Sequence, residues 1–467
     1  MAGSSSRATG PWRWSSRRRA TGGWRPRPPR RPEEATMALA LESRTPFQKL
    51  YRLEAGTPWE RLRRTAAEFF EAVGVPGTKN EEWRFTSLRE FAEHEFAPAE
   101  PRDWDGRYGS ADPIEVRDAI RLVVVDGVYR PDASSSDLPD GLIVGPWSET
   151  KDDPAWRRFG TIVQMDRHPF AALNTACFVE PILVRVAAGA TMERPIHLAF
   201  VSQRSDAPRA IFPRVLVVVG ENAEAKLLET HSGSGAYFTA PVSEVFVDQS
   251  GRLEHTKVQQ DSLDAFHIGH VRATQEAGSV YSSNAVSFGA RLSRNDIDIW
   301  LGGEHTETWL NGAYMAFGEQ LTDSHTRLDH AMPNCHSFQV YKGILGGAGA
   351  GVFNGKIYVH PDAQKTDAKQ TNKALLLSPQ ATVNTKPQLE IFADDVKCTH
   401  GATVGQLEAE SLFYLRSRGI GLAEAQAILT YAFLAEVLEK ISLEEVRTAL
   451  ERVVFRQVAQ VEPMPEE

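Results

Sequence analysis

The chain has 467 residues, 42% apolar, with 52 basic and 61 acidic side chains and a net charge of −9. That is enough material for a large core and about three domains, and an acidic body of this kind excludes a nucleic-acid binder, which needs a basic face. No apolar run approaches the ~18 residues of a transmembrane helix, and three scattered cysteines (Cys177, Cys335 and Cys398) exclude a disulfide framework and suit a reducing, cytoplasmic setting.

The first 36 residues stand apart. They hold nine Arg and two Glu, so the stretch carries +7 and the remainder −16. Arg, Pro, Ser, Gly and Trp dominate, without periodicity, and such a composition builds no packed core. No apolar h-region follows Arg17-Arg18-Arg19, which excludes a secretory or twin-arginine signal. A transit peptide fits the Arg and Ser but not the Trp and Pro. The reading adopted is a disordered tail or a mis-called start, with translation beginning at Met37.

Residues 37–112 read as a helical domain. Thr57-Pro58 offers a capping hydroxyl and a Pro at the first helical position. Leu62, Ala66, Phe69, Phe70 and Val73 then fall on one helical stripe, stopped by Gly74 and Pro76. A second helix is expected near 87–95.

Residues 113–402 change period. From Leu122 to about His400 no helical stripe exceeds two turns. Short β-branched or alternating runs recur instead, among them Ile182 to Val186, Val215 to Val219 and Ile297 to Leu301, punctuated by Gly- and Asn-rich turns. Polar residues on both faces of the alternation suit a solenoid, but no clean period separates a β-helix from a sandwich. From 403 to 467 the helical period returns, with helices expected over 406–416 and 422–440. A third is expected to be capped by Ser442, with Glu445 completing a capping box.

Four segments invite a chemical reading. Gly351-Val352-Phe353-Asn354-Gly355-Lys356-Ile357 resembles a phosphate loop, but it has one residue too few between its glycines and no hydroxyl after the lysine. It reads as a strand, so ATP, if used, is hydrolysed by a partner. His305, His325, His330 and His336 surround Cys335 without structural-zinc spacing, and are expected to be solvated or laddered on strands. Asp394-Asp395 would need a bulge to act as a carboxylate pair if they lie on a strand. In Asp394-Asp395-Val396-Lys397-Cys398-Thr399-His400, Cys398 and His400 share a strand face, ~7 Å apart, because the side-chain period is two. An imidazole and a thiolate there make a metal-ligand pair needing donors from elsewhere, although a lone Cys also serves as a small core hydrophobe.

The segments NEEWRF (80–85), VDGVY (125–129), FAALNTA (170–176), HTRLDHAMPNCHS (325–337) and the long run 353–420 containing DDVKCTHGATVG together resemble the SufB/SufD family of the Suf iron–sulfur cluster assembly system. The last motif resembles the SufD side of that family, SufB differing there. The resemblance implies a mainly β fold: a right-handed parallel β-helix core flanked by N-terminal and C-terminal helical domains. It implies a non-catalytic scaffold that pairs with SufB through the β-helix end and with the ATPase SufC through its C-terminal helices, with a homodimer possible in isolation. It also implies that Cys398 and His400 lie at the SufB interface, holding iron or a nascent cluster. The competing reading from another class is a secreted-type β-helix carbohydrate enzyme, against which the missing signal peptide counts. A chain starting at Met37 is expected to melt at the same temperature and form the same complexes as the full chain; a clear loss of either would show the tail to be functional.

Overall fold

In the computed structural model, residues 47–100, 103–104, 106–109 and 114–459 are described. The tail 1–36, the Met37 start and the last residues of the acidic end lie outside them. Two helical units bracket a parallel β-solenoid of seventeen strands in two sheets that alternate along the chain.

The odd sheet takes β1 (Ile120–Val125), β3 (Ile196–Ser202), β5 (Glu224–Gly233), β7 (Arg252–Gln260), β9 (Val280–Ser287), β11 (Glu307–Ala316), β13 (His336–Leu345), β15 (Asp367–Leu376) and β17 (Lys397–Gly405). The even sheet takes β2 (Ile182–Val186), β4 (Arg214–Val219), β6 (Val242–Val247), β8 (Phe266–Gln275), β10 (Leu292–Leu301), β12 (Leu321–His330), β14 (Ala350–Val359) and β16 (Thr382–Ile391). Every odd strand pairs in parallel with the next odd one, and every even strand with the next even one. Successive same-sheet strands therefore lie ~4.8 Å apart and stack like on like.

Period-two alternation sends one set of side chains into the lumen. Val217, Val245, Ala273, Ile299, Leu328 and Ile357 of the even sheet meet Ala225, Leu253, Tyr281, Leu310, Tyr341 and Ala368 of the odd sheet in one buried cluster. The outward faces are covered as well, which is why so few strand residues reach solvent. Helices α4 (Leu422–Leu438) and α5 (Glu444–Val458) lie on the odd sheet, where Leu434, Val437, Val446 and Leu450 pack with Leu228, Val258, Val286 and Ile344. The amino-terminal helix α1 (Glu60–Val73) and α2 (Pro169–Cys177) cover the even sheet's first turns through an aromatic-rich layer of Phe70, Phe91, Phe170, Phe178, Phe238 and Phe266.

Several local expectations are corrected. Thr57 does not cap α1; its hydroxyl donates to the Glu54 carbonyl and the N-cap is Trp59. Ser442 builds no capping box, because its amide donates to Glu254 Oε1 and the N-cap is Leu443. A two-and-a-half-turn helix, α2, interrupts the β region. All nine of its residues are buried, so it carries no amphipathic stripe to reveal it. Its Asn174 amide donates to the Pro213 and Ala240 carbonyls, closing backbone groups that the sheet leaves open. Asp394 and Asp395 sit in the bend between β16 and β17, exposed, rather than on a strand.

The two ends of the solenoid differ. At the start, Asp126 and Gly127, both at positive φ, make the two-residue turn that lays Val128–Arg130 antiparallel on β1. Leu142–Pro146 lies antiparallel on β2 in the same way. At the finish, β16 and β17 pair on one side only.

The NEEWRF segment is latched to the even sheet's outer face by a buried ionic network. Arg294 of β10 grips Asp296 with two bonds (2.8 and 3.0 Å), reaches Asp323 of β12 (3.0 Å), donates to the Glu82 carbonyl (2.7 Å) and lies 3.8 Å over the Trp83 ring. Thr86 donates to Asp323, and His325 lies between Asp323 and Glu82. Burial opposes a charge on His325, but Asp323 and Glu82 outweigh it and raise its pKa. Arg294→Met strands buried carboxylates and is expected to lower stability by roughly 3–5 kcal/mol in denaturant unfolding. Glu82→Gln is the graded test. The hydrogen bond from His325, with nearby positive charge, holds the Glu82 carboxyl at about 2 against an ordinary 4.5. Its contribution is complete above the ordinary value and vanishes as pH falls toward the folded one. Variant and parent should differ in stability at neutral pH and converge at about pH 2; a gap that persists there would rule out the charge mechanism.

Candidate functional site

The open end of the solenoid carries the strongest candidate. Strand β17 pairs with β15 in the register Ala368–Cys398 and Gln370–His400. Ala368 and Gln370 point into the lumen and are buried. Cys398 and His400, stacked one turn above them, therefore face the lumen mouth, and Cys398 packs against the same apolar cluster. Both belong to the last strand, where no further turn covers them: Cys398 is half-buried and His400 exposed.

Burial pushes the Cys398 thiol above its ordinary value, and the Asp367 carboxylate adds to the shift. The group is a thiol at neutral pH, and it becomes a strong ligand only when a metal or another positive charge displaces its proton. A thiol and an imidazole alone do not satisfy iron, which takes four or more donors.

Beneath this pair sits a residue that sequence reasoning missed. Gln370 is buried, yet neither its carboxamide oxygen nor its nitrogen has a hydrogen-bond partner. Asn372, two residues on along the same inward face of β15, donates to Thr385 Oγ1 of β16 (3.0 Å) while its own oxygen is unpaired. Buried polar atoms left unsatisfied at the lumen mouth cost free energy unless something polar docks on them. Gly355 of β14 makes the room: a Cβ there would come 1.8 Å from the Gln370 nitrogen. The Gly355-Lys356 dipeptide that looks like part of a phosphate loop thus lies inside β14.

The mouth is framed by two bare strand edges. Thr382–Ile391 and Lys397–Gly405 offer ten and nine residues with unpaired backbone groups on their outer side. Along β17 the only charged side chain is Lys397, and Val404, Ile391 and Phe392 are exposed. Edges are normally protected by charge, bulges or covering segments. β16 carries such devices in Lys386, Pro387 and Glu390, whereas β17 has Lys397 as its one charge.

The histidines around Cys335 do not converge. His330 faces the lumen and bonds Ser337 (2.9 Å), His325 is held on the outer face, His336 is exposed at the start of β13, and His305 occupies a turn at positive φ. Of the two states expected for these histidines, His325 and His330 are not solvated but are buried and bonded to strand residues. Cys335 is buried and directs its thiol at the Gly303 carbonyl.

The carboxy-terminal unit presents a second surface. Helix α3 (Ala409–Ser417) buries none of its residues, with Phe413 72% and Tyr414 53% exposed. The other two helices are fixed to the odd sheet; Lys342 of β13 donates to the Phe433 carbonyl (2.7 Å) and pairs with Glu436. Among the described residues, no helix is long and apolar enough to cross a membrane.

Residues 200–433 match the family model described as the SufBD core domain of SUF-system FeS cluster assembly, and residues 47–198 match the SufBD protein N-terminal region. An iron–sulfur cluster assembly SufBD family protein of Synechocystis is 32% identical over 405 residues, covering 84% of this chain and 89% of that one. The chloroplastic protein ABCI7 of Arabidopsis thaliana is 34% identical over 403 residues, covering 84% of each. The iron–sulfur cluster assembly protein SufD of Escherichia coli is 31% identical over 379 residues, covering 79% of this chain and 86% of its own.

Proposed function

The chain belongs to the SufBD family of iron–sulfur cluster assembly proteins, and from that premise we propose that it is a non-catalytic scaffold subunit of the Suf machinery, pairing with SufB and with the ATPase SufC. The observation that carries this reading is the register of the last strand. It sets Cys398 and His400 side by side at the uncovered lumen mouth, above a buried carboxamide with no partner.

In this reading SufB docks against the bare edges of β16 and β17 by continuing the ladders. Docking sequesters the mouth from water and brings further ligands to the two that this chain supplies. Iron or a nascent cluster is the cargo. Cys398 gives up its proton on binding, His400 binds through a neutral ring nitrogen, and the Gln370 carboxamide is placed to accept or donate a hydrogen bond to whatever ligand completes the shell. Metal capture therefore strengthens as pH rises.

The ATPase docks on α3. An exposed Phe-Tyr pair on a helix carried by a rigid solenoid is an apolar anchor of the kind that helix-in-groove contacts use. Through α4 and Lys342 a pull on this unit reaches β13 directly.

Two outcomes test the proposal. With SufB and SufC in anaerobic reconstitution, His400→Ala should assemble normally and melt as the parent does, yet hold less iron and sulfide. Cys398→Ala should act alike or more mildly. Wild-type cluster formation by His400→Ala would leave this chain a plain interaction scaffold. For the ATPase, truncation before α3 is uninformative, because removing α4 and α5 strips the apolar cover from the odd sheet. Phe413→Ser with Tyr414→Ser should abolish SufC binding while SufB pairing and melting temperature persist; retained SufC binding would place the contact elsewhere.

A further inference from the structure

Three and four turns below the open end, the even sheet's outer face carries a second group of ligand-type side chains, and no part of the reading above uses it. His270 on β8 and Asp298 on β10 project from neighbouring strands, in the columns His270–Asp296 and Arg272–Asp298. His168, the residue preceding α2, is laid over them from the covering layer, and its ring stacks on His270 with centroids 4.1 Å apart. One donor atom from each of the three lies within 4.8 Å of the others.

We infer that His168, His270 and Asp298 form a binding site for a divalent first-row transition metal ion, of the Fe(II) or Zn(II) class. Two imidazoles and one carboxylate gathered on one side of an ion, with the remaining positions open, are the donor set that these metals take. Metal–donor bonds of ~2.1 Å place tetrahedral ligand atoms ~3.4 Å apart, so the group closes on an ion by a shift of roughly 1 Å.

Three observations point to a ligand. His270 is buried and both its ring nitrogens lack a hydrogen-bond partner, so the ring turns toward an ion without breaking any bond. Asp298 is unlike the acidic residues around it. Asp296 and Asp323 bond Arg294, and Asp329 bonds Arg327, whereas the guanidinium nearest Asp298 is Arg272 at 3.9 Å. Its bond is to His168 Nε2, at 2.8 Å. Arg272 lies equally far from Asp329, which remains its counter-charge when Asp298 turns to a metal. A small pocket lined by His168, His270, Asp296 and Arg167 adjoins the imidazoles, with room on the order of one water molecule to fill an open coordination position.

This inference does not rest on the open-end site, and its test is built so that the two fail separately. The probe is Co(II), added anaerobically to chelator-stripped chain carrying Cys398→Ala and His400→Ala. Uptake is read as metal content, visible d–d absorption and melting temperature, and Fe(II) and Zn(II) are then tested as competitors. The expected result is uptake of one equivalent with a raised melting temperature. His270→Phe keeps the aromatic stack on His168 and removes only nitrogens that bond nothing. It should melt like the metal-free parent yet bind more weakly by over the ~100-fold that loss of an outer partner costs. Asp298→Asn, which still accepts from His168, should lose the metal equally and covers the case in which His270→Phe folds poorly. No uptake by the parent, or full uptake surviving in either variant, overturns the site.

Discussion

Everything in this molecule depends on in-register parallel stacking. Because each strand lies directly on its predecessor of the same sheet, a residue's face is decided by parity alone, and its neighbours are the residues at the matching position one turn above and below. A column is therefore the unit of design. Apolar columns fill the lumen of the early turns. Charged columns on the outer face of the even sheet, Arg294 with Asp323 and Asp296 with His325, serve as attachment points for the amino-terminal segment. Buried ion pairs of this kind add little net stability but penalise any other register, since a slip would leave several charges unpaired. Arg214 with Glu244, both without solvent exposure, does the same for the join between α2 and the sheet.

The two helical units share a purpose on opposite faces. A solenoid sheet has an outward face that must be solvated or covered. Here the odd sheet is covered by α4 and α5 and the even sheet by the aromatic layer around α2. Among the large apolar side chains left exposed, Ile391, Phe392 and Val404 lie at the last turn and Phe413 and Tyr414 on α3, so exposure there marks surfaces available to other molecules.

Much of this was legible from residue order, and the failures have physical causes. The β character of 122–400 followed from β-branched runs and turn residues, and the shared face of Cys398 and His400 from the period of two. The solenoid itself was not readable from a repeat. In-register partners along the even sheet are separated by 33, 28, 28, 26, 29, 29 and 32 residues, so the turns vary in length and blur any period. Helix α2 was invisible because it is buried all round. The Ser442 and Thr57 caps failed because each group found a competing partner, Glu254 for the Ser442 amide and the Glu54 carbonyl for the Thr57 hydroxyl. Gln370 gave no signal, since its oddity is a missing partner, which only a packed structure reveals. His168, His270 and Asp298 are far apart in the chain and meet through the covering layer.

The inequality of the two ends also governs how many chains can join. A solenoid with two bare ends has a valence of two and propagates head to tail into a filament without limit. In this chain the short antiparallel strands Val128–Arg130 and Leu142–Pro146 occupy the first edge and reverse its direction. An incoming parallel strand finds no continuation of the ladder there. The parallel ladder is thus left open at the last turn and not at the first, so a partner that extended it there would find no second parallel edge on this chain to propagate from.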